Sequence, residues 1–147
     1  MAGDTTSAAG DPGGAGDLAA RHWHLPPSAS AAATVRNRLH VLMTGWGVSE
    51  DSCDRAMLIV TELVSNVVDH AHTPLTVTVR PDGGMLHVHV QDGSALPPAL
   101  QPLDPLAVRG RGLQMIDALT TRWGWTLEGT GKTVWAVVDL ADEAQHR

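Results

Sequence analysis

Between Glu50 and Ala71 apolar residues recur at helical spacing: Ala56, Ile59, Val60, Leu63, Val64, Val67 and Val68. A stripe that wide has to face a core, so the stretch reads as the longest helix of the chain. Before it, His22-Trp23-His24-Leu25 reads as a short strand stopped by Pro26-Pro27. A helix then runs to about Trp46, capped by Ser28 or Ser30, with Val35, Leu39, Leu42 and Met43 inward and Arg36, Asn37 and Arg38 outward. Gly45 and Gly47 end it, and Ser49 caps the central helix.

After Ala71 the period changes from helical to alternating. Leu75, Val77 and Val79 interleave with Thr76, Thr78 and Arg80; after Pro81-Asp82-Gly83-Gly84, Leu86, Val88 and Val90 interleave with His87, His89 and Gln91. This is the pattern of an antiparallel hairpin with one buried face. The histidines project from the opposite face, and the spacing implies no further metal ligand. Residues 95–109 hold Pro97, Pro98, Pro102 and Pro105, which suit neither a helix nor a central strand, so the stretch reads as a lid. Gly110-Arg111-Gly112 opens a helix carrying Leu113, Met115, Ile116 and Leu119. Two closing strands, about 122–128 and 133–140, flank a Gly129-Thr130-Gly131-Lys132 loop. Segment 1–20 is Ala, Gly, Asp, Ser and Thr with almost nothing to bury and reads as disordered, and 142–147 as a frayed tail.

Composition narrows the class. A chain of 147 residues with 43 % apolar and 18 % charged content fits one soluble domain, here 21–141. All five aromatic residues are tryptophan, so Val, Leu, Ile and Ala must fill most of the interior. A net charge of -6 argues against direct nucleic-acid binding. The single cysteine, Cys53, cannot form an internal disulfide and fits a reducing compartment. No apolar run reaches membrane-spanning length, and no basic residue precedes Arg21 as in a secretory signal, so a cytoplasmic location with no membrane contact is expected.

Chemistry-bearing residues gather at element ends. Glu62, Asn66 and either Asp69 or His70 fall on one helix face beside the apolar stripe, a pattern suited to half of a metal and nucleotide site. Asp92-Gly93, Gly110-Arg111-Gly112 and Gly129-Thr130-Gly131-Lys132-Thr133 form glycine-bearing loops. A helix start such as Gly112-Leu113 offers unpaired N–H groups to an anion, and Arg109, Arg111 and Lys132 add positive charge. Gly131-Lys132-Thr133 imitates the end of a P-loop, but position 126 is threonine and the following residues read as strand, so a P-loop is excluded.

The order of these pieces resembles the GHKL (Bergerat-fold) ATPase superfamily, and within it the bacterial anti-sigma-factor serine/threonine kinases and their stand-alone, histidine-kinase-like ATP-binding relatives. Glu62-Leu63-Val64-x-Asn66 with His70-Ala71 is similar to the family's N box, Gly110-Arg111-Gly112-Leu113 to its second glycine box, and Gly131-Lys132-Thr133-Val134-Trp135 to the closing segment of the stand-alone relatives. The resemblance implies a two-layer α/β (α+β) sandwich with a mixed, mainly antiparallel sheet and three helices on one face. It implies that Asn66 binds Mg²⁺ and that Glu62 is the general base toward a partner's serine hydroxyl or water. Asp92, with Gly93 beside it, would accept a hydrogen bond from the adenine amino group and so prefer adenine to guanine, with Thr133 supporting the adenine end. Gly110, Arg111 and Gly112 would hold the nucleotide's phosphates through backbone amides and the helix start, and Arg109, Leu113 and Lys132 count with them in the nucleotide-binding set. His70 holds a family position without an assigned role. The implied activity is ATP-dependent phosphorylation of an antagonist protein, with a sigma factor or that antagonist as partner and a homodimer as a possible assembly. The alternative is a non-catalytic, ATP-gated module that sequesters a transcription regulator. One departure stands out: Ser94 and Leu96 replace two glycines of the family's first glycine box.

Overall fold

The computed structural model describes residues 20–97 and 112–141. Nearly all of the segment expected to be disordered, most of the lid, Arg109, Gly110, Arg111 and the expected C-terminal tail lie outside the described residues. The elements run β1 (Arg21–Leu25), α1 (Ala31–Gly45), α2 (Glu50–Asn66), β2 (Leu75–Asp82), β3 (Met85–Asp92), α3 (Gly112–Leu119), β4 (Arg122–Glu128) and β5 (Gly131–Asp139). A π-helical turn, Val67–Ala71, extends α2.

The strands form one five-stranded sheet in the order β1-β2-β3-β5-β4, and each neighbouring pair is antiparallel. The sheet is thus more uniform than the mixed, mainly antiparallel one expected. Side chains at paired positions point the same way. The helix-covered face therefore carries Trp23 and Leu25, then Val77 and Val79, then Val88 and Val90, then Val134, Ala136 and Val138, then Trp123 and Trp125. Against it pack Ala31, Val35, Leu39 and Met43 of α1, Ala56, Ile59, Val60, Leu63 and Val64 of α2, and Ile116 of α3. The expected inward Leu42 is only half-buried, and Ala31 takes a place in the core. Burying one such aliphatic side chain contributes about 1.5–3 kcal/mol, so this two-layer interior is the main source of stability.

Local chemistry sets the boundaries. The Ser49 side chain accepts a hydrogen bond from Ser52 N at 3.2 Å and caps α2 as expected. Ser30 occupies the cap position of α1 but makes no capping bond, its hydroxyl lying 3.1 Å from that of Ser28. Gly83 and Gly84 take φ of 59° and 86°, the conformation that lets two residues join β2 to β3. At the far end, Ser52 Oγ donates to Leu140 O at 2.8 Å and Arg55 to Asp139 O at 3.0 Å, pinning the start of α2 to the end of β5. No helix among the described residues is long and apolar enough to cross a membrane.

The β4–β5 hairpin differs from its expected form. Gly131 and Lys132 belong to β5 and the connection is Gly129-Thr130, with Gly129 at φ 67°. A Cβ on Gly131 would lie 2.2 Å from the Asp92 carbonyl oxygen, so the glycine serves close strand approach instead of a loop. The shift in strand start fixes which way Lys132 and Thr133 point.

Candidate functional site

Alternation along β5 places Lys132 on the helix-covered face and Thr133 on the open one. Lys132 stands opposite Asp92, the last residue of β3. Its ammonium lies 3.1 Å from Asp92 Oδ1 and 2.9 Å from Oδ2, with side-chain exposures of 5 % and 0 % for the lysine and the aspartate. Oδ1 also accepts from Ser94 N at 2.7 Å. Oδ2, though close to the ammonium, lies off the direction of a hydrogen bond, and it is the buried side-chain polar atom left without one among the described residues.

Beside this pair lies a hollow of about 250 Å³. Its apolar walls are Leu63, Val67, Ala71 and Val134; its polar groups come from Asn66, His70, Ser94 and Lys132; Leu96 and Pro97 complete it. The π-helical turn brings Val67, His70 and Ala71 to it, and the turn closes with His72 N donating to Val67 O at 3.0 Å and His72 in the left-handed region at φ 57°. Turns of this kind recur at functional sites. In place of the family's glycines, Ser94 caps the chain locally, its hydroxyl accepting from Leu96 N at 3.1 Å.

The expected site residues divide accordingly. Asn66 and Lys132 line the hollow, and Asp92 lies behind the lysine. Glu62 is half-buried one helical turn before Asn66 and does not line the hollow. Gly93 donates its N–H to Thr73 Oγ1 at 2.8 Å, at the rim of the same strand end. Gly112 and Leu113 begin α3, which packs on α2. Thr133 is turned away: its hydroxyl donates to Glu128 Oε1 at 2.7 Å on the open face, which excludes its side chain from the hollow. The sequence reading also missed Val67, Ala71 and Val134 as walls; their signal is adjacency to Asn66, His70 and Lys132 at helical or strand spacing.

On the open face, burial pushes the imidazole pKa of both His87 and His89 down, with neighbouring Arg80 adding to the effect on His87, and His87 and Arg80 to that on His89. Among the described residues no three His, Cys, Asp or Glu side chains form a cation-binding group.

Apolar walls on two sides suit a flat heteroaromatic base, and the Asn66 carboxamide oxygen suits a hard cation as one ligand beside phosphate oxygens and water. The residues present therefore fit a magnesium-bound purine nucleotide.

The sequence matches the histidine kinase-like ATPase domain family over residues 25–138. The chain belongs to that family. This histidine kinase-like ATPase domain has the fold of an ATP-binding module, and the GHKL resemblance stands. Its structure is similar to that of the RsbU and RsbW domains of Rv1364c from Mycobacterium tuberculosis, with 21 % sequence identity and a TM-score of 0.66, covering 84 % of this chain and 33 % of that one. The domain thus spans about a third of the length of that chain. It is also similar to the SiaB-SiaC complex from Pseudomonas aeruginosa, with 16 % identity and a TM-score of 0.62, covering 80 % of this chain and 88 % of that one. At such identities these likenesses show the fold. No curated protein matches the chain significantly by sequence.

Proposed function

We propose that the protein is a Mg²⁺-ATP-dependent serine/threonine kinase of the anti-sigma-factor type, acting in the cytoplasm on an antagonist protein and exchanging that partner with a sigma factor. The observation that carries the reading is the convergence of Asn66, Lys132 and, behind it, Asp92 on one apolar-walled hollow within this family's fold. That one of the similar structures is a SiaB-SiaC complex is in keeping with a protein partner.

Bound Mg²⁺-ATP supplies the phosphoryl group. Asn66 would give the cation a side-chain oxygen. Leu63, Val67, Ala71 and Val134 would exclude water from the base, and Asp92 would read its edge once the Lys132 ammonium turns aside. The N–H groups at Gly112 and Leu113, with Gly110 and the guanidinium groups of Arg109 and Arg111, hold phosphates. Glu62 would take the proton from the partner's serine hydroxyl as that oxygen bonds to the γ-phosphorus and the bond to the departing ADP breaks. Removing such a base costs about 10²–10⁴ in rate. Phosphotransfer to a candidate antagonist, compared between the wild type and Glu62→Ala, tests this: a drop of that size supports the kinase, and an unchanged rate rejects Glu62 as its base.

A second reading has its own observation. Glu62 stands outside the hollow and Lys132 screens Asp92, which suits an ATP-gated module that sequesters a transcription regulator without phosphorylating it. ATP-dependent partner binding with no phosphotransfer, equal in the wild type and Glu62→Ala, would establish it. A homodimer is compatible with either reading, and sedimentation with and without ATP determines it.

A further inference from the structure

Lys132 is the only lysine of the chain, and it is buried. Its side chain lines the hollow, whereas Asp92, its side chain 0 % exposed, lies behind it and does not. Register holds the two face to face at the paired ends of β3 and β5, and Gly131 lets the strands approach closely there. The ammonium donates to Asp92 Oδ1 at 3.1 Å and stands 2.9 Å from Oδ2, so it covers both carboxylate oxygens. Ser94 N also donates to Oδ1, and Oδ2 has no hydrogen bond from the described residues. A nitrogen carrying N–H donors thus already stands where the amino group of a base would have to donate.

We infer that Lys132 is a built-in competitor of the base: its ammonium occupies the place of the adenine amino group at Asp92, and a nucleotide gains that carboxylate only by displacing it. The inference rests on the reading that the hollow holds an adenine nucleotide. Separating a buried ion pair is costly, because no water stands ready to take the ammonium's place on the carboxylate. The pair therefore stabilises the fold and holds nucleotide affinity down. Removing the lysine moves the two properties in opposite directions: the fold loses the counter-ion of a buried charge, and the base gains an uncovered acceptor. A lysine that served only packing would lower both when removed, and one that held phosphates would lower affinity.

The test is NMR titration of the full chain with adenosine and with purine riboside, which lacks the 6-amino group. Neither carries phosphate, so attraction between phosphate and the lysine does not enter. Lys132→Met is expected to bind adenosine more than about tenfold tighter than the wild type, to bind purine riboside within about threefold of it, and to melt at a lower temperature. An adenosine affinity unchanged or weakened in Lys132→Met, or an equal gain for both nucleosides, overturns the inference, while binding of Mg²⁺-ADP to the wild type keeps the nucleotide site in place. Binding of neither nucleoside nor Mg²⁺-ADP to either protein overturns the site and the inference together. If the methionine variant does not fold, the wild type decides. With one lysine in the chain, ¹⁵N-lysine labelling gives a single side-chain ammonium signal, visible while the ammonium is held in its buried pair. Saturation with Mg²⁺-ADP is expected to abolish it through proton exchange with water, and a signal that persists at saturation overturns the inference.

Discussion

Gly131 has no room for a side chain, because its missing Cβ position is taken by the Asp92 carbonyl. Gly131→Ala must push β3 and β5 apart at the strand ends that carry Asp92 and Lys132, and it should cost about 1–3 kcal/mol, read as a lower urea midpoint, together with weaker nucleotide binding. Sequence alone could not assign that role, since Gly129-Thr130-Gly131-Lys132 has the composition of a loop. What distinguishes the two glycines is tertiary: Gly129 needs a positive φ, and Gly131 needs an empty space beside another strand. Moving Lys132 from loop to strand then decides its direction and sends Thr133 to the opposite face. The places of Asn66 on the central helix and of Asp92 at the end of a strand were legible because they follow from local periodicity. The pairing of Asp92 with Lys132, 40 positions apart, depends on a β3–β5 register that no local pattern encodes.

Elements were more legible than contacts. The central helix and the β2–β3 hairpin follow from the switch between helical and alternating periods, and both are found close to the expected bounds. The π-helical turn at Val67–Ala71 was not visible, because one widened turn leaves the apolar spacing on either side nearly unchanged. α2 bridges the whole molecule, packing on α1, α3 and the sheet, so its buried face carries more stability than its length suggests. Ile59 is fully buried there. Ile59→Ala should cost about 2–5 kcal/mol in a urea titration, and because Ile59 does not line the hollow, the folded variant should keep its nucleotide affinity. A loss of affinity at full folding would tie the core to the site more tightly than the geometry does.

At the scale of the whole molecule, one sheet face builds the core and the other carries His22, His24, His87 and His89. Protonating His87 or His89 is harder in the folded state than in the unfolded chain, chiefly because of burial. The unfolded chain therefore binds protons first as pH falls. Their contribution is complete above the ordinary histidine value of about 6.5 and is lost as pH drops through the lower folded values. The melting temperature should fall between about pH 7 and pH 5, and His87→Gln with His89→Gln should flatten that slope. An unaltered slope in the double variant would assign the pH dependence elsewhere. On the other face, α2, the end of β3 and the start of β5 must border one nucleotide site. Titrating Mg²⁺-ATP into ¹⁵N-labelled protein and following backbone amide shifts tests it most directly. Perturbations are expected to concentrate at Asn66, Val67, His70, Ser94, Lys132 and Val134; amides there that stay unmoved, or shifts confined to residues of the open face, would contradict a nucleotide site in this hollow.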